Sequence, residues 1–196
     1  MHPRSLVSTA LLLVAVAAGG EEGTIQAVWK PQRATFVYVG HTTFYTCRAL
    51  EQKIARVLEV IGAHEDIVVD RRDCSEDGAM RLYVEFKSPV EATAQNVQAL
   101  TTYDAEAELV ARVQGVRLPT AEDIPRFPAE WKEVAFVRER RLAMSAADCE
   151  FVEQVRRQLL PHLAVRIITD RIFCTPGTIG FAPPRLTVST LVAAEK

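Results

Sequence analysis

The sequence predicts an α+β protein of two internally repeated β-α-β-β units, each stapled by one disulfide and joined by a long linker with room for a helix. Three observations predict it. Trp29-Lys30 stands eighteen positions before Cys47, and Trp131-Lys132 stands eighteen before Cys149. The chain holds only two Trp and four Cys, so the double match points first to an internal repeat. Each of these Cys opens the pattern Cys-x-x-x-Glu-Gln, with Glu51-Gln52 in one copy and Glu153-Gln154 in the other. Asp70-Arg71-x-x-Cys74 then recurs as Asp170-Arg171-x-x-Cys174.

Residues 1–17 read as a cleaved secretory signal peptide. His2 and Arg4 form a basic start, Leu6 to Val14 an apolar run, and Ala15-Val16-Ala17 a small-x-small cleavage site. The run breaks at Gly19-Gly20-Glu21-Glu22, short of the roughly 20 apolar residues that span a bilayer. Export fits four cysteines, because disulfides persist outside the cytosol. Eighteen Arg against five Lys leans towards a bacterial source.

The first unit occupies 24–87. Ala34 to Val39 alternates and is β-branched or aromatic, which favours a strand. Thr43-x-x-Thr46 is a start signal for a helix in which Cys47, Leu50, Ile54, Val57, Leu58 and Ile61 share one face. Gly62 is its natural stop. Ile67-Val68-Val69 reads as the next strand, Ser75-Glu76-Asp77-Gly78 as a turn, and Arg81-Leu82-Tyr83-Val84 as the last strand.

The linker occupies 88–129. Asp104 to Gln114 suits a helix with Leu109, Val110 and Val113 inward and Gly115 as its stop. Pro119, Pro125 and Pro128 mark an ordered loop, and Glu91 to Thr102 shows no clear pattern. The second unit occupies 130–192. Glu133 to Arg138 is its first strand, and Ser145-x-x-Asp148 starts a helix carrying Cys149, Val152, Val155, Leu159 and Leu163 on one stripe. Pro161 ends that helix near Leu160. Ile167-Ile168-Thr169 and Arg185-Leu186-Thr187-Val188 are the closing strands, separated by a longer turn-rich stretch from Thr175 to Pro184.

Four cysteines allow three pairings. The repeat favours Cys47 with Cys74 and Cys149 with Cys174, each worth about 3–4 kcal/mol in the chain-entropy model. A four-thiolate metal site lacks any Cys-x-x-Cys pair, so no metal and no cofactor is expected. His41, His64 and His162 have no ligand spacing either, and no nucleophile elbow or phosphate-binding glycine loop is present.

With a formal net charge of −2 and no basic stripe, nucleic-acid binding is disfavoured. The residues shared by both copies are candidates for binding or structure: Trp29, Trp131, Glu51, Gln52, Glu153, Gln154, Asp70, Arg71, Asp170 and Arg171. Glu-Gln suits a solvated helix face, and Asp-Arg an ion pair beside the disulfide. The two Trp are expected to be buried, packing helix on sheet.

Strand-helix-strand-strand units resemble the small α+β modules of bacterial envelope assembly proteins and the halves of ferredoxin-like folds. Likeness of fold carries no function. The expectation is an exported, non-enzymatic binding or interaction protein of the bacterial cell envelope, secreted or periplasmic. Its partner would be another envelope protein or a surface polymer, with no membrane span after cleavage. The alternative is a hydrolase of an envelope polymer using Asp70, Asp170, Glu51 or Glu153.

Overall fold

The computed structural model describes residues 23–75 and 78–194. The signal peptide expected at 1–17, and Glu76-Asp77 of the expected turn, lie outside the described residues. The elements are β1 (Ile25–Tyr38), α1 (Cys47–Val60), β2 (Val68–Asp70), β3 (Met80–Glu91), α2 (Ala94–Leu100), α3 (Ala105–Gln114), β4 (Phe127–Ala135), α4 (Cys149–Gln158), β5 (Val165–Arg171) and β6 (Arg185–Ala193). The six strands form one antiparallel sheet in the order β2-β3-β1-β4-β6-β5. Strand, helix, strand, strand thus occurs over 25–91 and again over 127–193, within a single sheet.

The helix boundaries follow from their caps. Thr46 accepts the Ala49 N–H at 3.1 Å and starts α1. Gly62 stops it with φ +93°, a backbone state that other residues rarely adopt. A Cβ there would stand 2.7 Å from the Leu191 carbonyl oxygen, so the residue also sets how closely α1 approaches β6. Ahead of α4, Ser145 and Asp148 form a capping box, with the Ser145 N–H donating to Asp148 Oδ2 at 2.7 Å. α4 ends at Gln158, and Pro161 falls in the single 3₁₀ turn that follows, Leu160–His162.

Both helices cover the same face of the sheet. Phe36 and Tyr38 of β1, Leu82 and Val84 of β3, and Leu186 and Val188 of β6 meet Leu50, Ile54, Leu58, Phe151, Val155 and Leu159 in one core. Alternate residues on the strands face the other way, into solvent: Arg33, Thr35, Tyr83, Glu85, Glu133 and Arg185 are exposed. A small second cluster, Ala27, Ala129 and Leu191 with Trp131 and Phe127 against it, lies on that face where β1 meets β4.

The strands run longer than their apolar patterns suggest. β1 starts at Ile25 and passes through Pro31. Its even residues bond to β3, as the Ala92 N–H on Gln26 O shows, while Val37 turns its N–H and C=O outward. Pro31 shares that outward parity, so its missing N–H costs no ladder bond. β4 starts at Phe127 rather than Glu133, because its first residues pair with β1 at Ile25↔Ala129, Gln26↔Pro128 and Ala27↔Phe127.

The linker carries a correction. α3 forms between its Asp104 cap and Gly115, yet Leu109, Val110 and Val113 do not point inward: they are 57 %, 45 % and 78 % exposed. Periodicity shows that a helix has an apolar stripe; it does not supply a neighbour to bury it. Within the helix only Ala111 is buried. The segment without a clear pattern holds the end of β3 and α2, which Thr93 caps.

Candidate functional site

The cysteines pair as Cys47–Cys74 and Cys149–Cys174, with no free thiol among the described residues. Each bond ties the first residue of a helix to the chain just beyond the next strand. Among the described residues no helix is long and apolar enough to cross a membrane.

All four candidate carboxylates are engaged by arginines. Glu51 holds Arg71 at 3.4 Å, Glu153 holds Arg157 at 3.0 Å, and Asp170 holds Arg156 at 2.6 Å. Asp70 accepts from Arg72 Nε at 2.7 Å, and that bond keeps its carboxyl below the usual range. Asp70 lies in β2 and Asp170 in β5, the two edge strands. No cavity described is lined by both. Carboxylates from the two halves do not converge on one cleft.

The shared glutamines part company as well. Gln52 is exposed. Gln154 accepts the Val39 N–H at 3.1 Å and donates to Val39 O at 2.9 Å. Gln158, one turn on, does the same for Val37 at 2.8 and 2.9 Å. β1 has lost its β4 neighbour by this point, and the two amides act as a substitute strand along its edge. Trp29 and Trp131 are half-buried, short of the burial expected. Trp29 stacks on Phe127 at 4.5 Å and meets the His64 ring edge-on at 5.0 Å, while the Arg166 guanidinium lies 4.1 Å from the Trp131 ring.

A buried polar cluster forms around Asp148, which the sequence marked only as part of a helix start signal. Asp148, at 6 % exposure, pairs with Lys53 of α1 at 2.7 Å and accepts from the Tyr45 hydroxyl and from Ser145. Burial pushes the Asp148 carboxyl up, but the bonds from Lys53, Tyr45 and Ser145 together outweigh it and hold its pKa down. Burial and then Asp148 push the Tyr45 hydroxyl well up. Glu150, also buried, accepts the N–H groups of His41 at 2.9 Å and Thr42 at 3.0 Å. These bonds outweigh its burial and lower its pKa. Apart from Ser145, the partners lie about 95 to 109 positions away along the chain, so no local motif announces them. The cluster clamps the start of α4 to α1 and to the loop after β1.

The remaining surface with distinct chemistry lies on the open face of β4, β6 and β5. A cavity of about 700 Å³ is lined there by Glu133, Val137, Arg138, Asp170, Arg171 and Arg185, among others. A second, of about 440 Å³, shares Arg171 and Arg185 and reaches Phe173 and Phe181. Arg171 stands directly opposite Arg185 in the β5–β6 register. Among the described residues, Arg138, Arg171 and Arg185 make no ion pair. Of the charged residues lining these cavities, Asp170 and Arg171 were singled out from sequence. The signal available was the departure between the two Asp-Arg-x-x-Cys motifs: Arg72-Asp73 precedes Cys74 and Ile172-Phe173 precedes Cys174. No family model, curated protein or solved structure matches this chain.

Proposed function

We propose that the chain is an exported, non-enzymatic binding protein of the bacterial cell envelope, whose partner is another envelope protein or a surface polymer. The observation that carries this reading is the open face of β4-β6-β5, where three arginines without carboxylate partners line one cavity. Opposed like charges destabilise a sheet, so such a pair is retained more readily for a ligand than for folding. Beside it, β5 is an edge strand with no further strand on its outer side among the described residues, a site at which a partner can add a strand. The signal-like start and the two disulfides support an oxidising compartment.

The same reading takes the two halves as copies of one unit, both within one domain. The pairs Ile25↔Ala129 and Ala27↔Phe127 exchange under the shift along the chain that carries Trp29 to Trp131. Phe36 lies opposite Leu82 in one half, and the Phe136 N–H donates to Leu186 O in the other.

Two measurements test the function. N-terminal sequencing of protein from the periplasm should begin at Ala18; an uncleaved cytoplasmic chain would remove the export step. Affinity capture from envelope extract should retain a reproducible partner with the native chain and lose it with Arg171→Glu/Arg185→Glu. An identical profile for both baits would sink the assignment of the binding face.

A further inference from the structure

The connection from β5 to β6 holds an unusual concentration of apolar side chains in water. Phe173 is 86 % exposed, Ile179 60 %, and Phe181 fully exposed. Phe is among the residues a fold most often hides, and large apolar side chains clustered on one loop mark an interaction site. The root of the loop is pinned by Cys149–Cys174. Phe173 and Phe181 wall the cavity of about 440 Å³ together with Arg171 and Arg185. The surface therefore offers two features side by side: aromatic groups free to leave water, and a pair of guanidinium groups without counter-ions among the described residues.

We infer that the 172–184 loop docks the protein on an anionic phospholipid surface. Phe173, Ile179 and Phe181 enter the boundary between headgroups and acyl chains, and Arg171 and Arg185 take lipid phosphates. Stable docking without a spanning helix takes two signals, one apolar and one basic, and this loop supplies both. A soluble polyanion would satisfy the arginines and leave the three apolar side chains in water. Arginine suits phosphate because its planar fork binds two oxygens at once. The inference rests on the reading of an exported envelope binder and goes beyond it, adding the envelope's lipid surface to the protein or polymer partner of the same face.

The test is flotation of the oxidised protein from Ala18 onward, which carries every described element. The full chain is unsuitable because Leu6 to Val14 would itself enter lipid. Binding to vesicles of phosphatidylglycerol with phosphatidylcholine is expected, at least tenfold tighter than to phosphatidylcholine alone and weakened by 0.5 M salt. Phe173→Ser/Phe181→Ser and Arg171→Gln/Arg185→Gln should each weaken it about tenfold or more, with unchanged thermal melts because these side chains are exposed. Leu109→Ser/Val113→Ser, on the exposed stripe of α3, should leave it unchanged. Failure to float with anionic vesicles, equal binding to neutral ones, or loss through the α3 variant would each overturn the inference. So would binding to soluble dextran sulfate that matches the vesicles and ignores the Phe substitutions, which would assign the face to a polymer. Periplasmic N-terminal sequencing separately decides the export reading, so failure of one is distinguishable from failure of the other.

Discussion

Before Cys74 the chain reads Arg71-Arg72-Asp73, and its charges are tied down: Arg71 to Glu51, Arg72 to Asp70. Before Cys174 it reads Arg171-Ile172-Phe173. There Glu153 turns to Arg157 and Asp170 to Arg156, which leaves Arg171 facing Arg185 and Phe173 in water. The staple is the same in both halves, and so is the helix it anchors. The surroundings differ. Residues present in both halves build the scaffold, and the departures between them carry the surface chemistry. Under the proposal that the two halves are copies of one unit, function is to be sought chiefly where they disagree.

The strongest way to break this comparison is to remove the staples in turn. Cys47→Ser/Cys74→Ser and Cys149→Ser/Cys174→Ser open loops of nearly equal length, with separations of 27 and 25. Each should cost about 3.5 kcal/mol in urea titrations. A cost near zero for either would mean that one staple is decoration and the halves are not equivalent supports.

Next in size is a position at which the helices differ. Lys53 in α1 stands where α4 carries the buried Val155, and it neutralises Asp148. Lys53→Met should destabilise by about 3 kcal/mol, because a buried carboxylate loses its counter-ion. The same cluster sets an acid limit. Asp148 and Glu150 have lowered pKa values in the folded chain, so their contribution is intact above the unfolded carboxylate range near 4. It is lost as pH falls through the lower folded values. Thermal melts from pH 7 to pH 2 should show the drop setting in below about pH 4 in the native protein. If Lys53→Met melts like the native chain, the cluster has no clamping role.

The glutamines give a smaller, sharper contrast. Gln154→Ala removes two bonds to the edge of β1 and should cost about 1 kcal/mol, whereas Gln52→Ala, on an exposed position, should stay within about 0.5 kcal/mol. Equal costs would show that edge cover is unimportant. Smallest of all, Glu51→Ala and Glu153→Ala each break a partly exposed ion pair and should change stability by less than about 0.5 kcal/mol. Chemical denaturation resolves all four.

The α+β class, the disulfide pairing and both main helices were legible because their determinants are local. Thr46 and Gly62 sit at the ends of α1, and Cys47 and Cys149 each open a Cys-x-x-x-Glu-Gln pattern. Strand lengths were less so. β1 runs back through Pro31 only because that residue faces away from β3, a matter of parity within a sheet that the sequence does not display. The stripe of α3 was visible but not its lack of cover. Asp148 announced itself as a helix cap, while its pairing with Lys53 and Tyr45 depends on how two helices lie together. Arg171 was flagged for its match to Arg71, yet its character comes from Arg185 across the strand.

One further feature sets how the molecule comes apart. Only three residue pairs join β1 to β4, a seam too short to hold two halves together by itself. Other contacts cross it. α4 shields the edge of β1, the Thr190 hydroxyl donates to Ile61 O at 2.7 Å, and the Ser88 hydroxyl donates to His162 O at 3.3 Å. Each half therefore finishes the other. Melting either one strips the cover from its neighbour's edge, so the halves unfold in a single cooperative transition and no half-folded species accumulates. Such all-or-none behaviour limits how long a bare strand edge is open to aggregation.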